Sequence, residues 1–143
     1  MALHEHLRVG SRCTAANRAV FWWRGESPMP GALELAWEDG STLVFDVESD
    51  WTLAVTGGPW RNPYAGINTD DPSWDLGTWT KESVGRGEPG LAMVGKRLLN
   101  FMPLFNEVGE MAALDLIFEA DVLRLEVNGG DLAVREILGG TDA

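Results

Sequence analysis

Four carboxylates stand at spacings that would bring them together in a sheet. Glu34 and Asp46 flank an Asp39-Gly40 pair, and Asp115 and Glu126 flank Ala120-Asp121. Asp-Gly between alternating apolar runs is a strong hairpin signal. A hairpin that pairs Trp37 with Leu43 and Leu35 with Phe45 sets Glu34 opposite Asp46 on its outer face. One that pairs Phe118 with Leu123 sets Asp115 opposite Glu126. Like charges opposed across strands are mildly destabilising. Their recurrence at equivalent positions reads as an acidic face for a basic partner, or as a solvated face whose small cost is screened by salt. A glycosidase-like carboxylate pair would also need a cleft.

The second candidate is aromatic. Trp60, Tyr64, Trp74 and Trp79 are interspersed with Asp70, Asp71 and Asp75. Rings beside acids point to a protein-binding surface or a sugar-stacking platform. The alternative is that the segment folds back and the rings cap one end of the fold, since exposed tryptophans cost solubility. The spacing of the three aspartates does not match an EF-hand. His4 and His6 are the only histidines, in a terminal segment with no cysteine beside them, which argues against a metal site. Cys13, the only cysteine, has no histidine near it in sequence and falls in an expected strand, so a buried inert thiol is expected. With so few histidines, Ser-His-Asp or Cys-His catalysis has little to draw on. No P-loop or dinucleotide fingerprint is present. No catalytic residue, metal or cofactor is therefore assigned.

These residues must be positioned by elements that the chain writes twice. "VGSRC" from Val9 matches "VGKRL" from Val94, "LELAWEDGSTLVFDV" from Leu33 matches "LDLIFEADVLRLEV" from Leu114, and "WTLAV" from Trp51 matches "GDLAV" from Gly130. The offset is about 85 residues at the start and about 79 at the end, with the blocks in the same order. The second copy alone is ambiguous, because Leu114, Ile117, Phe118, Val122 and Leu125 also fit one helical face. The first copy decides for strands, since a helix through Gly40 would be poor. Each copy reads as a four-stranded meander: Arg12–Trp23, Ala32–Glu38, Thr42–Val47 and Thr52–Thr56, then Arg97–Asn106, Ala113–Glu119, Val122–Val127 and Leu132–Glu136. Pro103 marks its strand as an edge or a bulge. The expected fold is all-β: one domain over residues 1–143, with repeats at 9–56 and 94–136 burying their apolar faces on each other as a pseudo-twofold sandwich or barrel. Residues 57–90 form a long Trp-rich connection, with one extra strand at Thr78–Val84.

Twenty-two acidic residues against 11 basic ones give a net charge of -11, which excludes nucleic acid and an anionic membrane surface as partners. No apolar run reaches the roughly 20 residues of a membrane span, and the start lacks a signal-peptide pattern, so a cytoplasmic protein is expected. The two Val-Gly-x-Arg to Leu-Ala-Val copies, with "PWRNPY" after the first, resemble the small acidic all-β proteins that bacteria encode as immunity proteins against secreted toxins. That resemblance implies a non-catalytic protein that binds and blocks a basic partner protein. The candidate surface is Glu34, Asp46, Asp115 and Glu126 with Trp60, Tyr64, Trp74, Asp70, Asp71 and Asp75. The alternative is a small-ligand or carbohydrate-binding module that uses the linker tryptophans.

Overall fold

Alternation of apolar and polar side chains produces nine strands among residues 3–138, which the computed structural model describes. They are β1 (Cys13–Trp22), β2 (Met29–Trp37), β3 (Thr42–Val47), β4 (Leu53–Gly57), β5 (Thr78–Ser83), β6 (Leu98–Phe105), β7 (Met111–Phe118), β8 (Asp121–Asn128) and β9 (Asp131–Leu138). A helical turn at Leu3–His6 and a 3-10 turn at Leu91–Met93 complete the described elements. The chain is all-β, in two antiparallel sheets. One has five strands in the order β4-β3-β2-β1-β5, the other four in the order β6-β7-β8-β9. Residues 1, 2 and 139–143 and the side chains of His4 and Leu138 lie outside the described residues, so the expected 1–143 span and the His4–His6 pair reach beyond them.

The strand positions agree with the sequence reading to within a few residues, and Thr42–Val47 agrees at both ends. Pro103 lies on β6, an edge strand, where its missing N–H costs the ladder nothing. Among the described residues no helix is long and apolar enough to cross a membrane.

The inward residues of both sheets join one hydrophobic cluster, in which Leu33, Leu35, Trp37, Phe45, Leu114, Leu116, Phe118, Leu123 and Leu125 are all buried. At its centre Trp37 and Phe118 lie nearly parallel, with 6.2 Å between ring centroids and 7° between planes. Trp37 Nε1 finds no acceptor among the described residues, a cost of about 1–3 kcal/mol that the burial of both rings must exceed. Cys13 is fully buried, and burial pushes its thiol up to about 11, outweighing a backbone hydrogen bond at Ala15 that pulls it down. The thiolate population at neutral pH is therefore negligible.

The two sheets are also stitched where the matched Val-Gly-x-Arg segments meet. Arg12 and Arg97 form an isolated antiparallel bridge. The Arg12 guanidinium donates to the Gly95 carbonyl, and Arg97 Nη1 donates to the Gly10 carbonyl at 3.0 Å. The Arg12 N–H donates to Glu38 Oε2 at 3.0 Å, and the Arg97 N–H to Glu119 Oε1 at 2.9 Å.

Phe118→Ala should cost ~3–5 kcal/mol, because a large cavity adds to the lost transfer energy. Urea unfolding would show it as a lower midpoint at unchanged slope. Phe105→Ala, at an aromatic that is 62% exposed, should stay within about 0.5 kcal/mol of the parent.

Candidate functional site

Both hairpins close two residues tighter than the sequence register assumed, and this rearranges the four carboxylates. In the first hairpin Leu35 pairs with Leu43 and Leu33 with Phe45. Trp37 N–H reaches the Ser41 carbonyl at 2.9 Å, so only Glu38, Asp39 and Gly40 form the turn. Asp39 Oδ1 accepts from the Ser41 N–H and hydroxyl, and Gly40 sits at φ +89°, the left-handed position that a three-residue hairpin demands. Glu34 therefore faces Val44, and Asp46 faces Ala54 of β4. In the second hairpin a two-residue turn at Glu119-Ala120 pairs Phe118 with Asp121 and Leu116 with Leu123. Ala120 takes the left-handed conformation there, at φ +68°.

The expected opposition of like charges is thus replaced by complementary pairing. Asp115 stands opposite Arg124, whose Nε and Nη2 bind its two oxygens at 2.7 and 2.8 Å. That bond holds the guanidinium above its ordinary pKa. Glu126 lies beside Ala113 and Ala133 and binds Arg135 Nε at 2.7 Å. Two of the four carboxylates of the expected acidic face are therefore neutralised within their own sheet.

Glu34 has a different fate. It projects from the outer face of the five-stranded sheet, yet it is only 3% exposed. Its Oε1 accepts from Asn17 Nδ2 at 3.0 Å, and its Oε2 from the Trp60 N–H at 2.8 Å and Lys81 Nζ at 3.1 Å. Burial alone would raise its pKa. The Trp60, Asn17 and Lys81 bonds together outweigh that and lower it. Glu34 thereby ties β1, β5 and the linker to β2.

Around this tie the linker rings lie against the sheet. Ala19, Ala32 and Val44 form a small second cluster, with Trp60 and Trp79 packed on it. The Trp60 and Trp79 centroids are 6.0 Å apart, Trp79 and Phe21 5.1 Å, and Tyr64 meets Trp74 edge-on at 5.2 Å. A Cβ at Gly31 would come within 2.8 Å of the Trp79 ring, so only glycine lets that indole approach. Gly77 is equally constrained: at φ +83°, its Cβ would meet the Phe21 ring and the Trp22 carbonyl at 2.6 Å.

Two clefts remain open beside these rings. One, of about 420 Å³, is walled by Trp22, Trp23, Trp74, Thr69 and the Arg24–Asp75 ion pair. Its indole N–H groups are tied to Thr80 Oγ1, the Asp75 carbonyl and the Gly77 carbonyl respectively. The other, of about 300 Å³, lies where Met29–Gly31, Asp46–Val47 and Gly130–Leu132 converge under Tyr64 and Trp79. Of the remaining expected residues, Asp70 is exposed, and Asp71 caps the Ser73 N–H and hydroxyl, which lowers its pKa. The structure thus brings Tyr64, Trp74, Asp75 and Asp46 to the clefts, buries Glu34, and leaves Asp115 and Glu126 on the other sheet. Trp22, Trp23 and Asp131 were missed. The run Phe21-Trp22-Trp23 carried a signal, because a period-2 strand cannot turn three consecutive rings inward. No family model, curated protein or solved structure matches this chain.

Glu34→Gln should destabilise the protein by about 2 kcal/mol, since an amide cannot accept from all three donors. The sign of the pH dependence follows from the lowered pKa. Glu34 contributes stability in full above its unfolded pKa of about 4.3, and that contribution is lost as pH falls through its lower folded pKa. The Gln variant should lack this acid limb in pH-dependent urea unfolding. Proteolytic cleavage within residues 61–77 should also become faster.

Proposed function

We propose that the chain is a non-catalytic binding protein, an immunity-type inhibitor acting in the cytoplasm, which docks a basic partner protein through the linker and the neighbouring end of the five-stranded sheet. The observation that carries this reading is the placement of acids beside partly exposed rings. Asp46, Glu48, Asp50, Asp70, Asp71 and Asp131 make no ion pair among the described residues. Asp46 and Asp131 share a cleft with Tyr64 and Trp79. Unpaired carboxylates would steer a basic protein inward, and ordered rings would hold it. Asp115 and Glu126 leave the proposed surface, because Arg124 and Arg135 already occupy them.

A second reading rests on the larger cleft. Trp22 and Trp23 are 38% and 43% exposed, and their N–H groups are already engaged. Rigid indole faces beside Arg24, Asp75 and Thr69 would suit a sugar ring, which stacks on aromatics and bonds to paired polar groups. A glycan array with Trp23→Ala as control separates the two readings.

We also infer that the halves are copies of one four-stranded unit, at residues 9–56 and 94–136, facing each other as a sandwich about a pseudo-twofold axis with 57–90 as the connection. The support is reciprocity: Arg12 bonds to Gly95 while Arg97 bonds to Gly10, and Trp37 stacks on Phe118. The named strands of the two sheets do not pair with one another, which favours a sandwich over a closed barrel.

The functional test is kinetic. With a partner captured from the native host, Asp46→Lys with Asp70→Lys should slow association about tenfold at low salt and flatten its salt dependence. Trp74→Ala should instead speed dissociation. Rates that are unchanged at low and high salt would remove the acidic surface from the reading.

A further inference from the structure

The smaller cleft has a composition that selects its ligand. Its lining includes the aromatic residues Phe21, Tyr64 and Trp79 and the acids Asp46 and Asp131. Its volume, about 300 Å³, is at the low end for small-molecule sites. Charge and aromatic surface together favour an organic cation, which gains from both a carboxylate and the negative face of a ring. Among the described residues no group of three or more His, Cys, Asp or Glu side chains is placed to hold a metal ion, whereas the aromatic rings add a feature that only an organic cation uses.

The charged groups around the cleft meet this demand only in part. Arg18, whose charge acts on Asp46, lies on β1 at a register shift between Arg18 and Val20. Its Nε donates to the Gly31 carbonyl and its Nη2 to the Leu132 carbonyl, both at 2.8 Å. The guanidinium is thus spent on linking β2 of one sheet to β9 of the other. It attracts both Asp46 and Glu88 without an ion pair to either. Asp46 is exposed as a residue, and its carboxyl is only partly desolvated. That desolvation raises its pKa against the opposing pull of the Val47 N–H and Arg18. A carboxylate in this state gains when a second cation enters.

We propose that this cleft receives one organic cation, the guanidinium or ammonium head of an arginine or lysine side chain. The identity of that cation as a side chain of a basic protein rests on the docking function proposed above; the cation site itself does not. The rings would line the aliphatic stem, and Asp46 and Asp131 would take the head.

The test uses the full chain and small probes: Nα-acetyl-arginine methylamide and Nα-acetyl-lysine methylamide, with the citrulline and norleucine analogues as neutral isosteres. Titration followed by NMR should shift the Trp79 indole and Tyr64 ring signals for the cations, and the isosteres should bind at least about tenfold more weakly. Asp46→Asn and Asp131→Asn should each weaken cation binding about fivefold or more, while Glu107→Gln, on an exposed turn, should leave it unchanged. Acidifying through the raised pKa of Asp46 should weaken binding in the parent and have less effect in Asp46→Asn. Equal binding of cations and isosteres, or indifference to both Asn variants, overturns the cation site. Absence of probe shifts overturns it too, even where a basic protein still associates with a salt-dependent rate; in that case the docking function stands without this anchor. Probe binding with no salt-sensitive protein partner would keep the cation site and remove the docking function.

Discussion

The demand of one buried carboxylate shapes this face of the molecule. A carboxylate out of water is tolerated only where donors surround it. Glu34 draws its three from three places: Asn17 on β1, Lys81 on β5 and the backbone of Trp60 in the linker. Satisfying Glu34 therefore means bringing β5 alongside β1 and laying the linker over the sheet. Once Trp60 is seated, Trp79 has a neighbour, Ala19, Ala32 and Val44 are covered, and Gly31 must stay without a side chain. The clefts are what remains between parts held for this reason.

The same logic explains where the negative charge is left. Among the described residues, six of the eleven basic residues form ion pairs with acids: Arg8, Arg24, Lys81, Lys96, Arg124 and Arg135. Arg12, Arg18 and Arg97 donate instead to backbone carbonyls that join the two sheets. Nine of the eleven cations are thus committed to ion pairs or to backbone carbonyls, and unpaired acids remain on both sheets among the described residues. The four-stranded sheet neutralises Asp115 and Glu126 across neighbouring strands. The end of β3, the β3–β4 turn and the linker keep Asp46, Glu48, Asp50, Asp70 and Asp71 unpaired among the described residues. Exposed pairs contribute little to stability, so their main effect is on the field that an approaching molecule meets.

Strand positions and the core were legible because period-2 alternation and the Asp39-Gly40 turn are local signals. Leu35, Trp37, Phe45, Leu116, Phe118 and Leu125 could be chosen for the core before any register was known, since shifting a pairing by two residues keeps every side chain on its face. That same invariance hid the register. The hairpins differ from expectation by two residues, so the core survived the error while the cross-strand partners of Glu34, Asp46, Asp115 and Glu126 all changed. Turn closure depends on which carbonyl meets the Trp37 N–H and on Ala120 accepting a left-handed φ, and neither is written in the hydrophobic pattern. The burial of Glu34 was hidden for another reason: an acid at an outward strand position reads as solvated until a distant segment is known to cover it.

Glu34 and Asp115 hold the same place in the two copies of the phrase, the middle of Leu-Glu-Leu and Leu-Asp-Leu. On the proposal that the halves are copies, one ancestral outward acid has been resolved in two ways. Asp115 found Arg124 on the adjacent strand, and its sheet needed no cover. Glu34 has Val44 as its cross-strand neighbour, so its charge had to be met from outside the meander, by Lys81 and the linker backbone. The difference between a four-stranded sheet with a neutralised face and a five-stranded sheet with an aromatic cover then follows from one cross-strand position. Placing an arginine at Val44 to imitate Arg124 would offer Glu34 a partner of its own and compete with Lys81 and Trp60 for it. The hydrogen bonds that seat the linker would weaken, and with them the order of the rings around both clefts.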